Sequence, residues 1–395
     1  MKSPNCYLNA LGLLCASGDS ASEIRQGLAS GQTNLSSSGE FSAGHPLTLG
    51  LYQGDLPSVP LSDQKWHSRN NQFALAALNQ IEAEVSTAID RFGAARVGVI
   101  IGTSTSGAAE SEFAIQQWVQ NGNTPSGYDY SVEELAATAQ FVAEILAVAG
   151  PVYGISTACS SGAKTLAAAR RLIQAGICDA VVAGGVDTLC RLTVRGFSSL
   201  EAVSEIRCNP FSKNRSGINI GEAAALFLVT AEAWGVELTG VGEGSDAHHI
   251  SAPDPSGAGA VRCMTGALQD AGLEAADVGY VNLHGTATAL NDQMESLAMQ
   301  AVFGLDTPCS STKPFTGHTL GAAGALEAGI CWLSLKGDAG ELLPIHVWDG
   351  VRDPELPCIN LVSAETRIDQ PLNYALSNSF AFGGNNISLL LGRIP

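Results

Sequence analysis

Gly154-Ile155-Ser156-Thr157-Ala158-Cys159-Ser160-Ser161-Gly162 separates a short apolar run, Pro151-Val152-Tyr153, from an alanine-rich stretch that runs to Ile173. Cys159 therefore falls where a strand turns into a helix. A helix N-terminus carries unpaired backbone N–H groups and partial positive charge, which favour a thiolate and offer donors to an oxyanion beside it. Small residues on both sides leave room for a group to approach the sulfur. Taken alone, a cysteine in such surroundings behaves as a small hydrophobe, so the choice rests on the rest of the chain.

Outward from Cys159 the pattern is strand then helix, repeatedly. Val97-Gly98-Val99-Ile100-Ile101 and Ala180-Val181-Val182-Ala183-Gly184-Gly185-Val186 are uniformly apolar, as strands buried on both faces are. Further strands are expected at 5–13, 221–230, 237–244, 278–283 and 387–391. Helices are expected at about 71–89, 131–149, 261–270 and 292–303, and Ser20-Ala21-Ser22-Glu23 reads as a capping box. Residues 31–60 read as loop, and 191–220 as irregular chain. The alternation indicates an α/β fold with largely parallel sheets, divided near Gly235 into halves 1–235 and 236–395. No internal repeat is visible in the sequence itself.

Composition narrows the class. The chain has 395 residues, is 45% apolar and carries a formal charge of −18, which argues against nucleic acid as a general partner. Ten scattered cysteines without C-x-x-C spacing or a histidine cluster point to reduced thiols in a cytoplasm, with no metal site. No apolar run reaches a membrane span, and Cys6 to Ala16 reads as a first strand and loop rather than a signal segment. Between Lys164 and Arg215 stand eight Lys or Arg against four acids, a local basic face that could dock an acidic partner.

Two histidines match Cys159 in placement. His284 ends the strand at 278–283, and His318 enters the Gly- and Ala-rich segment Thr319 to Glu327. Ligands of open parallel sheets bind at the carboxyl ends of strands, so these loops can converge on one pocket. An imidazole at a helix N-terminus is held neutral, and two neutral N–H donors aimed at one carbonyl oxygen stabilise an enolate. Gly102-Thr103-Ser104-Thr105-Ser106-Gly107 could cradle phosphate but lacks a P-loop lysine, so it reads as a turn at a strand's end. His248 and His249 read as loop residues.

Thr157 to Gly162, Pro210 to Gly217 with Gly221-Glu222, His284-Gly285-Thr286-Ala287-Thr288, Ser311-Thr312-Lys313 with Thr316-Gly317-His318, and Asn378 to Asn386 together resemble the elongating, Cys-His-His type of β-ketoacyl-acyl carrier protein synthase. The resemblance spans essentially the whole chain in the family's motif order. It implies the thiolase fold, a duplicated αβαβα core in five layers, and a ping-pong decarboxylating Claisen condensation. Cys159 would take the acyl chain, with the backbone N–H groups of Cys159 and Phe382 as oxyanion hole. His284 and His318 would stabilise the enolate, and Lys313 with Glu327 would order the site. Phe382 would gate the acyl pocket, and Thr286 and Thr288 would hold the pantetheine arm. Arg191, Arg195, Arg207 and Lys213 would dock the acyl carrier protein.

The resemblance implies no cofactor of its own, substrates carried on the carrier's phosphopantetheine, and a homodimer or a heterodimer with a sister chain. Ala381 stands where the family usually has Gly before the gate phenylalanine, and its Cβ is expected to restrict the gate. The hydroxyl-rich 102–107 loop is similar to that of specialised-pathway members such as aryl polyene synthases. Two other readings compete. One is a non-catalytic sister subunit that sets chain length, which usually lacks the cysteine; the other is a thiol hydrolase, which needs a base poised to activate water.

Overall fold

The structure is a computed structural model that describes residues 4–337 and 343–394. Its strands are β1 (Tyr7–Cys15), β2 (Ser36–Ser38), β3 (Leu47–Leu49), β4 (Val97–Gly102), β5 (Val152–Ile155), β6 (Ala180–Asp187), β7 (Ala223–Thr230), β8 (Val236–Ser245), β9 (Tyr280–Asn282), β10 (Cys309–Ser310), β11 (Tyr374–Phe380) and β12 (Asn385–Arg393). β2 and β3 form a small hairpin, and the other ten strands join in the order β10-β9-β11-β12-β8-β1-β7-β6-β4-β5.

This order is a topological duplication that the sequence hides. Numbered along the chain, β1, β4, β5, β6 and β7 lie in the spatial order third, second, fourth, fifth, first, and β8 to β12 repeat it. In each set the third, second and fourth strands are parallel, the fifth is reversed, and the first runs antiparallel to the fifth. The two sets meet where β1 pairs with β8. Every residue of β4, β6 and β7 is buried, which explains why these strands read as unbroken apolar runs.

Between the two sets lie the helices Ser161–Gln174 and Ala323–Leu335, each packed on the other and on strands of both sets. Their contacts form one apolar core with residues of β4, β6, β7, β11 and β12. The helices Arg69–Asn79, Glu82–Phe92 and Ala137–Leu146 cover the outer face of the first set. Ala258–Ala271 and Ala289–Phe303 cover that of the second. Helix, sheet, helix pair, sheet and helix make the five layers of a thiolase fold.

The central helices approach closely because glycine stands at the crossing. A Cβ on Gly162 would lie 2.8 Å from the backbone N and Cβ of Ala325, and one on Gly324 would lie 2.8 Å from the Cβ of Ala163. The near-reciprocal contact follows the duplication and sets the loops that lead into the two helices side by side. One of those loops carries Cys159 and the other carries His318.

Local readings needed five corrections. The stretch 71–89 is two helices broken at Gln80–Ile81, where the Gln80 amide leaves the helix to bond both Leu13 N and Leu13 O, at 3.1 and 3.0 Å. The helix expected at 131–149 is confined to Ala137–Leu146. Ala108–Asn121 is a helix the pattern did not mark, and Arg191–Ser199 is a helix inside the stretch read as irregular. At Ser20 the capping box is half formed: Ser20 Oγ accepts from Glu23 N, while the Glu23 carboxylate accepts from Asp19 N instead of Ser20 N.

Candidate active site

β5 ends at Ile155 and the following helix starts at Ser161, so Cys159 sits in a tight connection. Ala158 takes φ +52°, a left-handed conformation that costs a residue with a side chain about 1–3 kcal/mol. Ser161 supports it by donating from Oγ to Ala158 O at 2.6 Å and accepting from Thr157 N at 2.9 Å. The turn brings Cys159 Sγ to 3.0 Å from His318 Nε2.

His284 completes a cluster. One donor atom from each of Cys159, His284 and His318 lies within 4.8 Å of the others, and the two imidazoles stand edge to face with centroids 5.4 Å apart. Among the described residues this is the group spaced like a metal site, but the Lys313 ammonium lies 3.5 Å from His284 Nδ1 and opposes a second cation there. Lys313 is buried and bonds His284 O and Glu327 Oε1.

Electrostatics departs from one expectation. Burial pushes the Cys159 thiol up to about 12, outweighing the Lys313 charge that pulls it down, so the thiolate expected at a helix start is opposed by desolvation here. Both imidazoles are held well below the usual histidine range, by burial first and the Lys313 charge second. The helix behind His318 begins only at Ala323, after a short 3₁₀ turn, so burial rather than the helix dipole keeps that ring neutral. Burial raises the Glu327 carboxyl to about 7 against the pull of Lys313.

Tautomers follow from these contacts. A lysine ammonium can only donate, so Nδ1 of His284 faces it as a lone pair and the His284 proton belongs on Nε2. His318 Nδ1 has no partner among the described residues, so nothing fixes which nitrogen of that ring is protonated.

A cavity of about 470 Å³ opens onto Cys159 and both histidines, and Thr286, Thr288 and Phe382 line it. Thr286 and Thr288 bond each other at 2.9 Å between hydroxyls. The Phe382 backbone N–H bonds the Cys159 sulfur, while its ring packs on Phe197 with centroids 5.6 Å apart. Ala381 has φ −103°, an extended backbone open to any residue, and the positive φ values fall on Gly383 and Gly384. The Cβ at 381 therefore costs nothing in this state.

The basic residues divide. Arg170, Arg171 and Arg215 pair with Asp270, Glu243 and Asp353. Arg191, Arg195, Arg207 and Lys213 are exposed, and the first two lie on the helix whose Phe197 forms part of the cavity wall.

Sequence reading missed the buried acids behind the histidines. Glu295 accepts from His284 N at 2.8 Å and Gly285 N at 2.7 Å, and Asp292 accepts from Phe211 N at 2.7 Å and Ala287 N at 3.2 Å. Both side chains are fully buried, and burial raises their carboxyls to about 7 and about 6. The available signal was two acids three residues apart on a helix that follows His284 directly. In the 102–107 loop the Thr103 and Thr105 hydroxyls and the Ser104 and Thr105 N–H groups close on Asp187 rather than turning outward to a phosphate.

The matches to known proteins agree with this geometry. Residues 61–233 match the N-terminal domain of β-ketoacyl synthases, and residues 236–341 match the C-terminal domain. The chain belongs to the β-ketoacyl synthase family. Among β-ketoacyl synthases, it is 35% identical over 345 residues to 3-oxoacyl-[acyl-carrier-protein] synthase 2 of Staphylococcus aureus (strain COL), covering 82% of each chain. It is 39% identical over 271 residues to the enzyme of the same name from Rhizobium meliloti (strain 1021), covering 62% of this chain and 61% of that one. A ketosynthase solved in complex with its chain length factor from Xenorhabdus doucetiae superposes with a TM-score of 0.94 at 44% identity, over 99% of this chain and 98% of that one. The ishigamide ketosynthase/chain length factor gives a TM-score of 0.87 at 26% identity over 100% of both.

Proposed function

We propose that this β-ketoacyl synthase is a 3-oxoacyl-[acyl-carrier-protein] synthase that joins a Cys159-bound acyl chain to malonyl-carrier with loss of carbon dioxide. The observation that carries the reading is the 3.0 Å contact of Cys159 Sγ with His318 Nε2, with His284 beside it in one cavity. In the first half-reaction the thiol gives its proton to His318 Nε2 as sulfur attacks the acyl thioester. The carbonyl oxygen is held by the N–H groups of Cys159 and Phe382, and His318 returns the proton to the departing pantetheine thiolate.

Malonyl-carrier then enters, with its pantetheine arm along Thr286 and Thr288. Cleavage of its carboxylate carbon–carbon bond leaves the electron pair on an enolate, whose oxygen accepts from Nε2–H of His284 and, once the His318 ring has exchanged its proton from Nδ1 to Nε2 with water, from Nε2–H of His318. The enolate carbon attacks the Cys159 thioester, the 3-oxoacyl-carrier leaves, and the released thiolate takes a proton from solvent through His318. Lys313 and Glu327 hold His284 in place and do not touch substrate.

The enzyme carries no cofactor of its own in this reading; its substrates ride on the phosphopantetheine of an acyl carrier protein, docked by Arg191, Arg195, Arg207 and Lys213 in the cytoplasm. It pairs with a second copy or with a sister ketosynthase-like chain, as the chain-length-factor complex among its relatives supports. The open edge of β5 and the exposed Phe113, Trp118 and Val119 offer a surface for that pairing. Residues 1–235 and 236–395 would be its two thiolase-like halves, the first supplying Cys159 and the second both histidines. The acyl chain is of fatty-acid or polyene/polyketide type. A purely chain-length-setting role leaves the Cys159–His318 contact without a purpose.

Mixing the protein with acyl-carrier and malonyl-carrier should yield 3-oxoacyl-carrier and carbon dioxide in equal amounts, read by mass spectrometry. Hydrolysis to free acid without a new carbon–carbon bond would favour the hydrolase. The depressed imidazoles predict the pH response: neutral rings persist as pH falls through 6.5, so the imidazole resonances of His284 and His318, followed by NMR, should titrate below 6.5. An imidazole that titrates at or above 6.5 contradicts the neutral-donor roles, whereas a limb of kcat near 7 belongs to the buried Glu295 and Glu327 carboxyls, which burial raises to about 7.

A further inference from the structure

The hydroxyl-rich loop after β4 is unused by the chemistry above, and its contacts show what it holds. The carboxylate of Asp187, the last residue of β6, is completely buried. It accepts from Thr103 Oγ1 at 2.6 Å, Ser104 N at 2.8 Å, Thr105 N at 2.9 Å and Thr105 Oγ1 at 2.8 Å. A further donor, Gly321 N at 2.5 Å, comes from the other half of the molecule. Both hydroxyl protons are committed to the carboxylate, because Thr103 Oγ1 accepts from Ser106 N at 2.9 Å and Thr105 Oγ1 accepts from Thr188 N at 3.3 Å. All of these contacts use the carboxylate as an acceptor, and they oppose the burial that raises its carboxyl above the usual range.

Gly321 is three residues past His318. Between them Leu320 takes φ +51°, a conformation that needs outside support. The Gly321 N–H bond to Asp187 supplies it, and the fit is tight: a Cβ on Gly321 would stand 2.7 Å from Asp187 Oδ2 and 2.8 Å from Ser104 Oγ. On its other side the His318 main chain is fixed by His318 N to Asn219 O at 2.6 Å and Gly221 N to His318 O at 3.0 Å.

We infer that Asp187 is a positioning residue for His318: its carboxylate clamps the 103–105 loop of the first half to the Leu320–Gly321 turn of the second. The clamp holds His318 Nε2 on Cys159 Sγ. Asp187 touches no substrate and acts only through the histidine. This inference rests on the proposed roles of Cys159 and His318. An imidazole displaced by about 1 Å loses about 100-fold in rate, which sets the scale of the effect.

The test is a double-mutant cycle on the full-length enzyme, with D187N, H318A and D187N/H318A compared in condensation and in substrate KM. D187N alone should lose about 100-fold in kcat with KM within about 3-fold of wild type. On the H318A background the same substitution should change the residual rate by less than about 2-fold, because the histidine it positions is already gone. If D187N does not fold, T105V, which removes one of the two hydroxyl donors, reads the same cycle with an expected loss of about 10-fold. Equal losses on both backgrounds, or a D187N or T105V enzyme as fast as wild type, overturn the inference alone. An H318A enzyme as fast as wild type overturns the active-site reading and the inference with it.

Discussion

Replacing Lys313 with Met should destabilise the protein by about 3–5 kcal/mol, the usual cost of removing one partner from a buried ion pair, and should stop condensation. The ammonium is 1% exposed and bonds both Glu327 and the His284 carbonyl. Without it the Glu327 carboxylate is left in the core with no cation, and His284 loses the donor that faces Nδ1. The double variant K313M/E327L should recover most of the stability, because two apolar side chains of similar size replace the pair. It should not recover activity, because the His284 tautomer is no longer set. Chemical denaturation of the three proteins measures the first effect and turnover the second. A stable and active K313M would remove the pair from the account.

Replacing His284 with Ala should separate the two half-reactions. The imidazole is placed to donate to the enolate, and it is His318, not His284, that bonds the Cys159 sulfur. Loss of one preorganised oxyanion donor costs about 10²–10³ in rate, so carbon dioxide release from malonyl-carrier should fall by that factor. Acyl uptake by Cys159 should stay within about 3-fold of wild type, since uniform loss of binding is not expected from a donor used only in the second step. H318A should slow both steps, since that ring receives the thiol proton and later faces the enolate. Equal loss of both steps in H284A would mean that the histidines do not divide the work as the tautomers indicate.

The parts of the fold that could be read beforehand share one physical property. β4, β6 and β7 are buried on both faces, so their apolar runs have one interpretation, and Cys159 and His284 follow strand ends where chemistry collects, while His318 leads into a helical segment. The unread parts are those in which tertiary contacts override local pattern. Gln80 breaks a helix because its amide finds Leu13 across the layer boundary. Arg191–Ser199 has only Val194 fully buried, too little apolar signal for a period to emerge. The duplication is carried by strand order and a glycine crossing, neither of which leaves a repeated string. Cys159 shows the limit for electrostatics: the helix start was legible, but the burial that outweighs it depends on neighbours far along the chain. Asp187 ends an apolar strand and faces a hydroxyl loop that could be noticed, yet Gly321, which gives the contact its meaning, is 134 residues away.

The central claim is that Cys159 is the sulfur that accepts the acyl chain. Wild-type protein and C159A should be incubated with acyl-carrier alone and read by intact mass and by mapping of the modified peptide. The account predicts one acyl group per wild-type chain, on the peptide that contains Cys159, and none on C159A. An unmodified wild type, or an acyl group carried on another residue, would contradict it.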